Sequence, residues 1–581
     1  MTSAPRTSAS GATALRFSGR AVALLLVVLA ATWPVAPAHA KDPNILEIRL
    51  LSFNDFRGSL VPPDGRAGDV TRADGSVVPS GGAAYLAAYI KQLHSQSQHM
   101  LLYSAGDNWG ASGLASSAFH DEPTVAFLNM IGVSASVVGN LELAAGYAEL
   151  RRMQSGGCHP VDGCDFEPQF KGASFPLLAA NLDTANGTPA TLPFTVDFVE
   201  GIPIGVIGVL PRDAARMIAA DGTAGLKFND ELDAINRTAD LLDFFGVKAI
   251  TVLLHKGDDS EPGGPDACNL TTSSARRIAD RASPKVDVIF TAGGNQGYNC
   301  SFTDPMGNPR VFMQGASLGR MLSVADIAID RSTRDVLRER TSTFNQVVGR
   351  DIAPDPATVQ LVGRAQAKTA AIASRVVGRV SADITKDVGR SGESPLGNLV
   401  ADAQLEAARK GGAQLALTNA GGVRADLSVA PAMGEPERGT VTFGEAFAVQ
   451  PFNNQLALLT LTGAQLHQVL EQQFQPRDDG SIAREVLAPS GNLRYVMRPG
   501  APPGARIAAV AVDGKPVLPD GQYRVVVNSF LADGGDGFTV FRAGRDRAAI
   551  GKDTDALVAY LGSNSPVAPP ATDRITVQPA P

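Results

Sequence analysis

Five polar clusters in the first half of the chain carry residue types able to do chemistry, and each follows an apolar run of strand length. Asn54-Asp55-Phe56-Arg57-Gly58 follows Ile45 to Leu51, Gly106-Asp107-Asn108 follows Met100 to Tyr103, and Gly139-Asn140-Leu141-Glu142 follows Ala135 to Val138. His255-Lys256-Gly257-Asp258-Asp259 follows Lys248 to Leu254, and Ala292-Gly293-Gly294-Asn295 follows Val286 to Phe290. Loops just past strand ends are where sites gather in α/β sheets, so the pattern predicts a layered α/β domain with one site at those ends. Arg57 is the residue that does not fit a metal site. Residues two apart on an extended segment point the same way, so Arg57 shares a side with Asp55, yet a guanidinium has no lone pair for a cation and stays protonated.

The elements that must position these clusters follow from length and pattern. At 581 residues the chain is too long for one core. We expect the layered α/β domain over 41–345, a linker over 346–375, and a smaller α+β domain over 376–581. The linker is an Ala-rich, weakly amphipathic run with Asp355 as N-cap and Pro356 at the first helical position. The second domain mixes helices (Leu396 to Lys410, Thr462 to Phe474) with strands (Gln455 to Leu461, Ile507 to Val512, Tyr523 to Asn528).

Residues 1–40 read as a secretory signal: Arg6, Arg16 and Arg20 with no acid, an apolar stretch from Ala21 to Thr32, and Ala38-His39-Ala40 as the cleavage site, cut after Ala40. A membrane anchor needs about 20 apolar residues, and Pro34 and Pro37 interrupt the run. The expected location is the periplasm or the exterior, with no membrane span after cleavage. Loss of those three arginines takes the net charge from −7 to −10, which argues against a general nucleic-acid binder. Four cysteines in an exported chain favour disulfides over a metal site. Of the three pairings open to them we favour Cys158–Cys164 across a short Pro/Gly turn and Cys268–Cys300 across a longer loop. His159 packs within the first loop, and Lys256, Asp258 and Asp259 read as a solvated loop flanking His255.

Taken together, the clusters resemble the bacterial UshA-type 5'-nucleotidases, which join a calcineurin-like metallophosphoesterase domain to a C-terminal nucleotide-binding domain. In the first domain the likeness rests on the clusters above with Ala180-Asn181-Leu182 and Asp287-Val288-Ile289-Phe290. In the second it rests on Glu393-Ser394-Pro395-Leu396-Gly397-Asn398, Asn419-Ala420-Gly421-Gly422-Val423-Arg424, Pro451-Phe452-x-Asn454 and Phe530-Leu531-Ala532-Asp533-Gly534-Gly535-Asp536-Gly537. Clusters in family order across nearly the whole mature chain specify the fold more than the activity.

The resemblance implies a pair of divalent ions clamping a phosphate and activating water. Its ligand positions retain Asp55, Asp107, Asn140 and His255. Three ligand histidines are absent: one position holds Arg57, and a Gly-His-x-His pair reads Gly293 and Asn295. A further family histidine, which assists the transition state, is Leu141. The other histidines of the mature chain, His94, His99, His120, His159 and His467, lie outside the expected ligand positions. One ion (Mn2+, Zn2+ or similar) is therefore expected at Asp107, Asn140 and His255, with no second one. Arg57 is expected to pair with Asp55 and Asp107 and fill the space of that second cation.

The second domain keeps what the resemblance implies for a nucleotide. Phe452 and Phe530 sandwich the base, Asp536 accepts from the ribose hydroxyls, and Arg424, Asn419 and Arg390 hold phosphate oxygens, with Arg494 a further candidate. A hinge near the linker helix is implied as well. Three functions compete: a nucleotide binder whose hydrolysis is impaired or lost, a working metal-dependent 5'-nucleotidase, and a structural exported protein with an idle pocket. Missing histidines favour the first over the second, and the retained stacking and phosphate residues favour it over the third.

Overall fold

Strand Ile45–Phe53 divides its side chains between two cores. Leu46, Ile48 and Leu50 face the layer between two sheets, whereas Leu51 and Phe53 join a cluster under the helices, the period of two that a strand imposes. In the computed structural model, which describes residues 42–579 apart from 64, 219, 295, 431–436, 453 and 478–479, this strand pairs parallel with Met100–Ser104 and antiparallel with Met321–Asp330. The signal expected over 1–40 and the cluster residue Asn295 lie outside the described residues.

These strands belong to a six-stranded sheet in the order Ser342–Val347, Met321–Asp330, Ile45–Phe53, Met100–Ser104, Ala135–Val137, Leu177–Leu178. A second six-stranded sheet runs Tyr298–Thr303, Pro309–Gln314, Val288–Thr291, Ala249–Leu254, Ile202–Val209, Phe194–Val199. Strands Ile202–Val209 and Ala249–Leu254 pair in parallel and are buried along their whole length, as parallel strands covered on both faces must be. Between the sheets Ile48, Tyr103, Val206, Leu253 and Phe290 pack together, each apolar side chain contributing about 1.5–3 kcal/mol of burial. That layer fixes the strand ends relative to one another.

Helices cover the outer faces. Leu86, Ile90 and Leu93 from Ala83–Ser95 and Leu361 and Ala365 from Pro356–Ala373 pack on the first sheet. Ile235, Ala239 and Leu242 from Glu231–Phe244 pack on the second. Helix Pro356–Ala373 starts where the sequence indicates: the Asp355 carboxylate accepts from the Thr358 amide at 2.9 Å.

Beyond it lies an α+β part with a five-stranded mixed sheet (Leu487–Pro489, Leu415–Asn419, Gln522–Asn528, Gln455–Thr462, Arg545–Lys552) and a four-stranded sheet built around Leu493–Met497 and Ile507–Val512. Helix Gly463–Glu471 opens on a capping box between Thr462 and Gln465. It stops three residues short of the expected Phe474, which opens strand Phe474–Pro476 instead. The Gln473 side chain holds that turn by accepting from the Leu487 amide and the Tyr495 hydroxyl.

The architecture is thus mixed α/β with two layered sheets, followed by an α+β domain, as the sequence indicates. Disulfides join Cys158 to Cys164 and Cys268 to Cys300. Among the described residues no helix is long and apolar enough to cross a membrane.

Candidate functional site

Two loops past the strand ends of the first sheet are laced together through their backbones. The amide of Asp55 donates to the Gly106 carbonyl at 2.9 Å, that of Arg57 to Asp107 at 2.9 Å, and that of Gly58 to Asn108 at 2.7 Å. Asp55, Arg57 and Asp107 all adopt positive φ, at 49°, 51° and 53°. Each such non-glycine residue costs about 1–3 kcal/mol and persists only where its surroundings over-determine it. Here the lacing does so, and it brings three functional side chains to one point.

The Asp107 Oδ1 atom accepts from the Leu141 amide at 2.9 Å and lies 3.2 Å from His255 Nε2. His255 Nδ1 sits 2.7 Å from the Ala105 carbonyl, and Nε2 also faces the Asn140 Oδ1 atom at 3.3 Å. Nδ1 therefore donates to the carbonyl, which directs Nε2 at the two oxygens. Burial works against a charged ring, but Asp107, with Asp55 beyond it, overrides this and pushes His255 up to about 10. Gly139 and Gly106 leave the room: a Cβ on Gly139 would meet Asp107 Oδ1 at 2.2 Å, and one on Gly106 would meet His255 Nδ1 at 2.7 Å.

Glu142, given no role from sequence, fixes the loops from behind. Its carboxylate accepts from the amides of Asn108, Asp107 and Gly139 at 2.6, 3.0 and 2.8 Å. Burial, helped by the nearby Asp107 charge, pushes it up to about 7. Its place in Gly-Asn-x-Glu was the signal available in the sequence.

Asp55 is saturated by the protein itself. Oδ1 accepts from Arg57 Nη2 at 2.7 Å, and Oδ2 accepts from Asn54 Nδ2 at 2.8 Å and from the Gly293 amide at 2.9 Å. Burial pushes the Asp107 carboxyl up, but His255 and then the Arg57 charge, acting through space, hold it below its ordinary value. Asp55, Asp107 and His255 each bring a ligand atom to within 4.8 Å of the others, which is the donor chemistry of a divalent-cation site. The convergence of Asp107, Asn140 and His255 fits one ion. On the Asp55 side both carboxylate oxygens are already engaged and a guanidinium stands alongside.

The loop after His255 is not solvated as expected. Asp258 is buried and caps helix Ser274–Arg281, accepting from the amides of Ala275 and Arg276 at 3.1 and 2.7 Å. Lys256 pairs with Glu231 at 3.1 Å. Only Asp259 stays exposed, and it meets Arg477 at 3.2 Å. A buried helix start demanded an acceptor, and the sequence around Ser273 did not reveal which residue supplies it.

Within the unit Asn44–Pro581 a cavity of about 850 Å³ opens beside the cluster. Asn140 and Leu141 line it from one side, and Asn419, Arg424, Phe452, Phe530 and Asp536 from the other. Asn419 donates to Asp536 Oδ2 at 2.7 Å and accepts from Asn528 at 3.0 Å. Burial pushes Asp536 up to about 6, with the Asn419 bond opposing. Gly535 has no room for a Cβ, which would meet the Phe530 ring at 2.5 Å. The Arg424 guanidinium lies 5.7 Å from the Phe452 ring centre. Burial, and then the like charge of Arg57, push Arg424 down to about 9, with Asp107 and Asp55 opposing. Two arginines thus lie within electrostatic reach of one carboxylate pair. Arg390 and Arg494 are exposed and stand outside the cavity lining; Arg494 instead donates to the Gly491 carbonyl at 2.7 Å.

A family model described as 5'-nucleotidase, C-terminal domain, matches residues 374–543. The chain is 30% identical over 538 residues to endonuclease YhcR of Bacillus subtilis, covering 91% of this chain and 41% of that protein's length. It is 25% identical over 587 residues to a snake venom 5'-nucleotidase of Gloydius brevicauda, covering 95% and 92% of the two chains. In fold it resembles the 5'-nucleotidase precursor from Thermus thermophilus, with a TM-score of 0.75 over 92% of this chain and 100% of that one, at 24% identity.

Proposed function

The chain belongs to the 5'-nucleotidase family, with a calcineurin-like phosphoesterase N-terminal part and the family's C-terminal domain, and from that membership we propose an exported nucleotide-binding protein whose two-metal phosphomonoester hydrolysis is impaired or lost. One observation carries the second half of this reading: the Arg57–Asp55 ion pair at 2.7 Å stands where a ligand pair is needed. The family uses divalent metals, and Asp107, Asn140 and His255 would hold one, which supplies Lewis acidity toward a phosphoryl oxygen. Arg57 supplies fixed positive charge beside it, without the capacity to activate water.

Binding rests on the cavity. Phe452 and Phe530 offer aromatic faces to a base, Asp536 and Asn419 offer polar atoms to a ribose, and Arg424 offers a fork to phosphate. The volume suits a nucleotide, since small-molecule sites run about 300–1,000 Å³. The signal expected over 1–40 and the disulfides support a location in the periplasm or outside the cell. The domain limits 41–345, 346–375 and 376–581 belong to this proposal.

A working metal-dependent 5'-nucleotidase is the alternative, favoured by the intact convergence of Asp107, Asn140 and His255. Calorimetric titration of the mature chain with AMP in chelator tests the binding half. Saturable heat at one ligand per chain supports it; no heat, with or without Mn2+, overturns it.

A further inference from the structure

His120 and His159 are far apart in sequence, yet their rings stack with centroids 3.6 Å apart and planes within 11° of parallel. Asp162 completes the group. Its Oδ2 atom lies 2.8 Å from His120 Nε2 and 3.3 Å from His159 Nδ1, and one ligand atom from each of the three falls within 4.8 Å of the others. Two features of the fold hold them there. The Cys158–Cys164 disulfide closes a loop in which His159 and Gly163 exchange backbone hydrogen bonds at 3.0 and 2.9 Å, fixing His159 and Asp162 together. His120 comes from the turn after helix Leu114–Ser117, where His120 and Asp121 adopt φ of 51° and 61° in succession. Two consecutive non-glycine residues in that region mark a conformation kept at a cost.

We propose that His120, His159 and Asp162 form a binding site for a divalent transition metal such as Zn2+, separate from Asp55, Asp107 and His255. Two imidazoles and a carboxylate are a borderline donor set suited to Zn2+, with the fourth position open. With bonds of about 2.1 Å, tetrahedral ligand atoms stand about 3.4 Å apart; the carboxylate oxygen is already near that distance from His159 Nδ1 and closer to His120 Nε2, so an ion draws that oxygen back from His120, tilts the stacked rings and takes the place of the Asp162 amide that now donates to His159 Nδ1 at 3.2 Å. Both histidines also line the cavity described above. An ion held there presents its open position to the cavity, where an anionic oxygen of a bound ligand can complete the shell. Of the two side chains besides His159, His120 is 32% exposed and Asp162 52%, so an ion has access and substitutions there do not disturb a core.

The test measures Zn2+ bound per mature chain by equilibrium dialysis in the wild type, His120→Asn and Asp162→Asn, with thermal melts to confirm folding. Asparagine tolerates the left-handed backbone at 120. The expected result is one ion fewer at fixed Zn2+ in each variant, from an affinity loss of at least about 10–100-fold, the loss typical of removing even an outer-shell partner. The ion at Asp107, Asn140 and His255 is unchanged. Wild-type stoichiometry and affinity in both variants would overturn the proposal. On the unmodified chain, Zn2+ should protect His120 and His159 from acylation by diethyl pyrocarbonate; equal labelling with and without Zn2+ would also overturn it. Neither readout depends on nucleotide binding, so failure here leaves the proposed function standing.

Discussion

Arg57 donates to Asp55 across 2.7 Å from two residues further along the same turn, with the carboxylate wholly buried and the guanidinium side chain 15% exposed. A charge pair this enclosed cannot lose one member cheaply. Arg57→Ala should destabilise the mature chain by about 3–5 kcal/mol, the cost of leaving a buried charge unpaired. Adding Asp55→Asn should recover most of that loss, because no unpaired charge remains. The midpoint of urea unfolding reads both. A single variant within about 0.5 kcal/mol of wild type would show that Asp55 has other means of neutralisation.

Phe452 and Phe530 face the same cavity. Replacing either with alanine should weaken AMP and adenosine alike by about 1–3 kcal/mol, the range for a base stacked on an aromatic ring. Calorimetry on the folded variants measures it. Unchanged affinity in both would place the base elsewhere.

Arg424 should instead discriminate between ligands. Its charged donors are worth about 1.5–3 kcal/mol to a phosphate and nothing to a nucleoside. Arg424→Ala should therefore cost AMP that much and leave adenosine unaffected. Equal losses for the two ligands would mean that Arg424 supports the pocket wall, through its approach to Phe452, and not the phosphate.

Asp536 gives a pH dependence with a definite sign. Its carboxyl is raised to about 6 in the folded protein by burial, so the folded state holds a proton that the unfolded chain has already released. That contribution to stability is fully present below the unfolded value, near pH 4, and is lost as pH rises through about 6. Relative to Asp536→Asn, the wild type should lose about 1–3 kcal/mol between those limits; the Asn419 bond survives the change. Thermal melts of the two chains across that range would show it, and parallel curves would refute it. Ligand affinity should move oppositely, rising as Asp536 ionises and becomes a pure acceptor.

What was legible in the sequence was whatever depends on neighbours in the chain. Alternation from Leu46 to Phe53 set one strand between two cores, Asp355 before Pro356 marked a helix start, and clusters past strand ends marked the site loops. Cysteine spacing within a turn gave Cys158–Cys164. What was hidden depends on pairs brought together only by folding. Glu142 looked like one member of a short motif, but it accepts amides from two loops. Asp258 looked solvated because its helix begins some sixteen residues later. Arg390 and Arg494 carry the right chemistry for phosphate and lie exposed outside the cavity lining, a placement no local pattern reports. The stacking of His159 on His120 arises because a disulfide loop and a strained turn meet at the cavity wall.

The proposed function has Arg57 taking the place of a second metal, and on that proposal a bound nucleotide should be kept and not cleaved. Phosphate release from AMP by the mature chain at saturating Mn2+, and again at saturating Zn2+, tests this most directly. The expected release is no faster than in a metal-only control, in samples where calorimetry shows AMP bound. Sustained release that requires the metal and disappears with chelator would contradict it, and would mean that Asp107, Asn140 and His255 suffice for hydrolysis beside an arginine.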